Sequence, residues 1–215
     1  TVNGGASANY TADAGALTNL AASGTLAVVA NPTVENRLIH TDTGYTFGDH
    51  EVKIVASPAA TITSFKAGVI LKRIDAANYL ECYVDDNGVN SRTRIDKVVA
   101  GVRTNLATAN MPARMIAFQP HVIVGMIDGN TITGGVDTPY PNLSVTQSNV
   151  ATASVTYTLT SAEATTFGLA VQGRAGVSII GQATGANIDL LTIRPFTYRT
   201  ALIGTRSANA VNMRG

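Results

Sequence analysis

The chain has 215 residues, of which 13% are charged, with a net charge of +1, 20 glycines, one cysteine and no tryptophan. That length suits one large all-β domain whose core needs no staples, and the near-neutral balance excludes a strong field aimed at nucleic acid or an anionic membrane. The single thiol, Cys82, excludes an internal disulfide framework.

Residues 1–24 are small and polar, without a sustained helical or strand period, and read as an N-terminal arm or irregular lead-in. Strand patterns then follow at Thr25 to Val29, Arg37 to Thr41 and Glu51 to Ser57, bounded by turn residues such as Asn31-Pro32 and Gly44. The clearest signal is the hairpin over residues 67–84. Period-two alternation there puts Val69, Leu71 and Arg73 on one face of the first arm, and Leu80, Cys82 and Val84 on one face of the second. Tyr79, Glu81 and Tyr83 take the opposite face, across the connector Asp75-Ala76-Ala77-Asn78.

Further strands are expected over Arg92 to Val99, Gly101 to Ala107 and Ala113 to Phe118. His121 to Ile127 and Thr131 to Val136 flank Asp128-Gly129-Asn130, a short hairpin turn in which glycine supplies the positive φ. The segment from Asp137 to Gln147 carries Pro139 and Pro141 and must be loop. Ala153 to Leu159 reads as a strand, Ser161 to Ala164 as one capped helical turn, and Gly168 to Gln172 and Ile188 to Phe196 as closing strands. The glycine-rich run from Gly173 to Gly185 reads as a turning connection, and residues 197–215 as a C-terminal tail. Roughly a dozen strands with almost no helix imply an antiparallel β-sandwich or barrel over residues 25–196.

The order of these pieces resembles the concanavalin A-like, laminin G-like jelly roll. The matching residues are Phe47-Gly48-Asp49 before Val52-Lys53-Ile54, Ala67 to Arg73, Asp75 with Asn78-Tyr79-Leu80, His121 to Ile132, and Gly168-Leu169 with Ile188 to Ile193. The resemblance implies an all-β jelly-roll β-sandwich of the lectin-like kind, a fold that hosts lectins, glycan-binding modules, glycosidases and structural virion domains. The enrichment in Ala, Thr, Gly, Asn and Val, with few charges, also resembles bacterial-virus structural proteins.

Residue chemistry argues against an enzyme. A retaining glucanase of that superfamily would carry a Glu-x-Asp-x-x-Glu strand with carboxylates about 5 Å apart, and the chain has none. No nucleophile elbow, P-loop or dinucleotide fingerprint is present. Asp85-Asp86 beside Asn87-Gly88 reads as turn chemistry. His40, His50 and His121 lie on different strands and read as scattered histidines at the solvent edge rather than as metal ligands. Asp85, Asp86 and Asn87 do not supply the six to eight oxygens that calcium takes. No catalytic residue, metal or cofactor is therefore expected.

The best binding constellation is Tyr79, Glu81 and Tyr83, which share one side of the hairpin, with Arg94 nearby in the chain; aromatic rings with planar polar groups are the combination a sugar needs. Cross-strand packing is the competing reading of the same tyrosines. No apolar run approaches the roughly 20 residues of a membrane helix and no targeting segment opens the chain, so membrane insertion is not expected. The leading reading is a non-enzymatic structural protein of a bacteriophage virion (tail, fibre or capsid decoration), with adhesion to a host-surface glycan as an added role. Its partners would be other virion proteins or copies of itself in a homo-oligomer. The alternative is a secreted or surface carbohydrate-binding module, and a glycoside hydrolase comes third.

Overall fold

The computed structural model describes residues 10–14, 26–28, 35–40, 48–58, 65–112, 114–115, 120–137, 153–168, 170–180 and 186–195. Among these, thirteen strands and one helix build two antiparallel sheets. The first sheet has seven strands: β1 (Tyr10–Ala14), β3 (Asn36–His40), β12 (Arg174–Ile180), β5 (Phe65–Asp75), β6 (Asn78–Asp86), β7 (Ser91–Val99) and β8 (Val102–Asn110), in that spatial order. The second has six: β11 (Ala153–Thr158), β10 (Thr131–Asp137), β9 (His121–Asp128), β4 (His50–Pro58), β13 (Ala186–Pro195) and β2 (Leu26–Val28). The chain changes sheet between β3 and β4 and again between β4 and β5, so sequence neighbours face each other across the core.

The alternating apolar residues of both sheets form that core. Ala67, Val69, Leu71, Leu80, Cys82, Val84, Ile95, Val177 and Ile179 meet Val52, Ile54, Ala56, Ile123, Ile127, Ile132 and Val136. Each fully buried Leu or Ile contributes about 1.5–3 kcal/mol relative to exposure. The tightest approach is between Cys82 and two glycines paired across β9 and β10, Gly125 and Gly134. A Cβ on Gly134 would lie 2.0 Å from Cys82 Sγ, and one on Gly125 would lie 2.6 Å from Val69 Cγ2. The missing side chains form the recess that admits the thiol. Burial there pushes the Cys82 thiol up to about 12, so it packs as an inert apolar group.

Local chemistry accounts for the hairpins. β9 and β10 join through Gly129-Asn130, with Gly129 at φ 61° and its N–H donating to Asp49 Oδ1 at 2.9 Å. At the β5–β6 turn Asp75 Oδ1 accepts from the Ala77 N–H at 2.8 Å, while Asn78 Oδ1 accepts from the N–H of Ala100 in the β7–β8 turn at 3.0 Å. The expected helical turn extends to α1 (Ser161–Phe167). Thr160 and Glu163 form a full capping box at its start.

Several expectations are corrected. Tyr10–Ala14 lies within the segment read as an irregular arm, yet it forms edge strand β1, paired with β3; the remainder of residues 1–24 is outside the described residues. Gly168–Gln172 is not a strand at its described positions, for Gly168 caps α1. The strand lies one step later. β12 occupies the first part of the glycine-rich run and sits in the interior of the seven-stranded sheet, between β3 and β5. Gly173 and Gly176 conceal its alternation of Ala175, Val177 and Ile179 inward against Gly176 and Ser178 outward.

Arg114 and Met115 carry no strand where Ala113 to Phe118 was expected to have one, and the other residues of that segment, apart from these two, lie outside the described set. Asp137, read as the first residue of the loop to Gln147, instead closes β10 opposite Val122; the rest of that loop and the tail from 197 to 215 also lie outside the described set. Arg73 does not share the Val69–Leu71 face. The β5–β6 register shifts between Ile70 and Lys72, and Arg73 pairs with Tyr79 on the outer face. Lys72 turns inward instead, fully buried, and its Nζ donates to Gly168 O at 2.9 Å.

Candidate functional site

The face of the seven-stranded sheet turned away from the shared core is polar and nearly dry. Register explains its composition. Glu81 lies directly opposite Asp96 on β7 and Ile70 on β5; Tyr83 lies opposite Arg94 and Gly68; Tyr79 lies opposite Val98. Two carboxylates placed directly opposite each other on adjacent strands repel, and here both are fully buried. Such an arrangement holds only with cations between and above them.

Three side chains supply the charge, two from flanking strands and one from β7 itself. Lys66, at the start of β5, donates to Glu81 Oε1 at 2.7 Å and to Glu35 Oε1, just before β3, at 2.8 Å. Arg103 on β8 ion-pairs with Glu81, reaches Asp96 Oδ2 at 3.4 Å and donates to both Glu35 oxygens at 2.9 and 3.1 Å. Arg94 lies 3.8 Å from Asp96 Oδ1 and 3.4 Å from Asp85 Oδ2. Ser178 on β12 completes the shell of Glu81, its Oγ donating at 2.9 Å, and Asn105 donates to Asp96 at 2.8 Å. Further along the sheet Asp13 of β1 pairs with Arg37 and Arg73.

Both tyrosines are bound into this layer. Tyr83 OH donates to Asp96 Oδ2 at 2.6 Å, and its ring lies under Lys66 (4.2 Å), Arg94 (5.6 Å) and Arg103 (5.8 Å). Tyr79 OH donates to Glu35 Oε2 at 3.1 Å, with Arg37 at 4.6 Å from its ring centre. Cations on aromatic faces are attracted by the ring quadrupole, and more strongly where water is excluded.

The electrostatics follow from burial and pairing. Burial, and then the hydrogen bond to anionic Asp96, raise the Tyr83 hydroxyl well above its usual value. Burial raises Tyr79 too, aided by Glu35. Burial lowers Lys66 to about 8 against the pull of Glu35. Burial would raise Glu35, but Lys66, Arg103 and Arg37 outweigh it and hold its carboxyl below the usual range.

The four residues singled out from the sequence are thus brought together on one face, Tyr79, Glu81 and Tyr83 as their alternation implied and Arg94 through its pairing with Tyr83, yet not as an open platform. Tyr79 and Tyr83 are 2% and 4% exposed, and Glu81 is fully buried. Of the four, Arg94 is the one with substantial solvent contact, its side chain 25% exposed. The tyrosine faces are occupied by guanidinium and ammonium groups, so they form a floor. Glu35, Lys66, Asp96, Arg103 and Ser178 were missed. Lys66 and Asp96 had a signal, since each continues the outward alternation of its strand, with Gly68 and Ile70 or with Arg92 and Arg94.

The remaining candidates have structural explanations. Asp86 accepts from the Gly88 N–H at 2.8 Å and Asn87 Oδ1 accepts from Val89 and Asn90, which is turn chemistry, while Asp86 is also ion-paired with distant Arg114 at 2.8 and 3.2 Å. The histidines are not solvent-edge groups throughout: His50 and His121 are fully buried. His50 faces inward, its Nδ1 2.9 Å from Gly48 O, and burial lowers its basicity. Among the described residues no cluster of three or more His, Cys, Asp or Glu is placed to hold a metal ion, and no helix is long and apolar enough to cross a membrane.

No protein-family model matches the sequence, and no curated protein matches it significantly. Solved structures do. The chain superposes on carbohydrate binding module CBM66 from Bacillus subtilis with a TM-score of 0.58 at 9% identity, covering 86% of this chain and 95% of that one. The fold is a lectin-like jelly-roll β-sandwich. The VIP36 exoplasmic/lumenal domain, in a form bound to Ca2+ and Man3GlcNAc, matches with a TM-score of 0.58 at 10% identity over 88% of this chain and 86% of that one. The CBM2 module of the evolved Dit of Lactobacillus casei BL23 phage J-1 matches with a TM-score of 0.57 at 8% identity over 88% and 90%. At such identities the likeness shows the lectin-like fold alone.

Proposed function

We propose that this chain is a non-enzymatic, carbohydrate-binding lectin-like domain that takes its saccharide on the outer face of the seven-stranded sheet. The observation that carries this reading is the layer of planar, pre-oriented donors and acceptors on that face: Arg94, Arg103, Glu35 and Asp85, partly exposed above a buried floor of Tyr79, Glu81 and Tyr83. Guanidinium and carboxylate groups each offer two parallel hydrogen-bonding positions, which suits the adjacent hydroxyls of a sugar ring. Groups already locked by ion pairs lose little freedom on binding. Arg94 and Arg103 act directly; Tyr79, Tyr83 and Glu81 position them.

Hydrolysis is disfavoured by the same network. Glu35 and Glu81 share Lys66, at 2.8 and 2.7 Å, so their bound oxygens are near enough for the carboxylate spacing of about 5 Å found in retaining glycosidases. A glycosidase needs one of the two carboxyls kept protonated as the acid. Glu35 is instead held below the usual range, and Glu81 accepts from Lys66, Arg103 and Ser178.

Titration calorimetry guided by a glycan array tests the proposal. Arg94→Ala is expected to weaken saccharide binding about tenfold or more, the loss of one charge-assisted hydrogen bond, without lowering the melting temperature by more than a few degrees. Absence of any bound saccharide, or an unchanged affinity in Arg94→Ala, would overturn it.

The likeness to a phage Dit module favours one setting for this activity, adhesion from a bacteriophage virion. In that setting the chain assembles with other virion proteins or with copies of itself and presents the same face to a host-surface glycan. The solution mass of the native protein checks self-assembly.

A further inference from the structure

We infer that the saccharide bound on this face carries an anionic group, a carboxylate or a phosphate, seated against Arg92 and Arg94 beside Arg103. The inference rests on the glycan reading above and narrows it to a class of ligand.

The signs of charge on this face are sorted by depth. The carboxylates of Glu81 and Asp96 are wholly buried beneath the layer, whereas the side chains of Arg92, Arg94 and Arg103 are 32%, 25% and 33% exposed. Asp85 and Glu35 reach the surface as well, at 23% and 20%, two carboxylates against three guanidinium groups. Asp85 is shared between Arg92 and Arg94, and buried Asp96 adds a longer contact to Arg94. The result is an outward-facing row of guanidinium groups held from below and from one side.

Their hydrogen-bonding capacity is only partly used: Arg92 donates from one terminal nitrogen, Nη2, to Asp85 Oδ2 at 2.5 Å. Arg94 reaches its two carboxylates only at 3.4 and 3.8 Å, distances that give attraction but weak hydrogen bonds. Nε of Arg92 and Nε of Arg94 are buried and have no hydrogen-bond partner among the described residues, so a ligand meets the remaining, exposed part of each guanidinium. Arg92 and Arg94 are two residues apart on β7 and so project from the same side of the strand. Adjacent guanidinium forks on a rigid strand are suited to a planar carboxylate or a tetrahedral phosphate, with bidentate geometry and little reorganisation. A neutral sugar would offer these partly exposed guanidinium groups hydroxyl oxygens but no second anion to share them with Asp85.

The test uses the full chain and three oligosaccharides matched in length: one neutral, one bearing a uronate, one joined by phosphodiesters. Calorimetry at low and at near-physiological salt is expected to show an anionic ligand bound at least about tenfold tighter than the neutral one, with the preference shrinking as salt rises. Arg92→Gln, checked by its melting curve to be folded, is expected to abolish the preference while retaining binding of the neutral sugar. Whether uronate or phosphodiester binds better assigns the source of the anion, and either supports the inference. Equal affinity for neutral and anionic sugars overturns it and leaves the glycan reading standing. Failure of all three to bind overturns both. Inorganic phosphate or free acetate binding as tightly as the matching sugar overturns the saccharide part.

Discussion

The two faces of β6 are equally dry and are held by opposite physics. Inward, Leu80, Cys82 and Val84 fill a core in which Cys82 enters the recess left by Gly125 and Gly134. Outward, Tyr79, Glu81 and Tyr83 lie in a lattice of ion pairs and cation–π contacts. On the inner face the constraint is volume. On the outer face it is charge balance, because removing one member leaves a buried partner uncompensated. A sheet whose two sides are both committed to packing has little tolerance left, and its freedom for recognition is confined to the solvent edge of the polar layer, where Arg92, Arg94 and Arg103 lie.

The largest effect should come from breaking charge balance. Glu81→Ala leaves Lys66 and Arg103 facing Asp96 and Glu35 alone and is expected to destabilise the fold by about 3–5 kcal/mol in a denaturant titration. A loss comparable to that of an exposed ion pair would show that this face is solvated and that the contrast with the core is wrong.

On the volume side, Gly134→Ala puts a methyl group into the space of Cys82 Sγ and is expected to cost about 1–3 kcal/mol. The same substitution in a Cys82→Ala background should cost clearly less, since the two side chains compete for one recess. Additive losses would mean that the sheets separate instead of clashing locally.

The smallest effect lies outside both faces, at α1. Burial would raise the Glu163 carboxyl, but hydrogen bonds from Lys97, Thr160 and Tyr157 outweigh it and hold it at about 2. A depressed folded-state value stabilises the fold above the unfolded value of 4.5, and that contribution is lost as pH falls from 4.5 towards 2. The melting temperature should therefore fall more steeply over that interval in the native chain than in Glu163→Gln. Parallel curves would refute this role for Glu163. The group is near solvent, so the difference should be slight.

Much of the fold was legible because its signals are local. Alternation located nearly every strand, and Gly129-Asn130 marked its hairpin through a backbone conformation that glycine reaches without strain. Where a local signal was diluted, the reading failed. Glycines concealed β12, a small polar composition concealed β1, and the shift in register beside Leu71 turned Arg73 to the face opposite the one alternation gave it. For the site, the sequence placed Tyr79, Glu81 and Tyr83 on one side of the hairpin and grouped Arg94 of the next strand with them, and there it stopped. The partners that bury them come from distant positions: Ser178 is 97 residues from Glu81, and Glu35 is 68 from Arg103.

The sequence by itself therefore determined an antiparallel all-β chain, the central hairpin and which side of β6 is polar, because the two-residue period and turn conformations are properties of neighbouring residues. Tertiary structure alone decided that the polar side is buried, that two opposed carboxylates are neutralised by Lys66 and Arg103, and that arginines form the exposed layer. Charge balance at a buried point is a sum over every strand that reaches it, and only the folded arrangement specifies which strands those are.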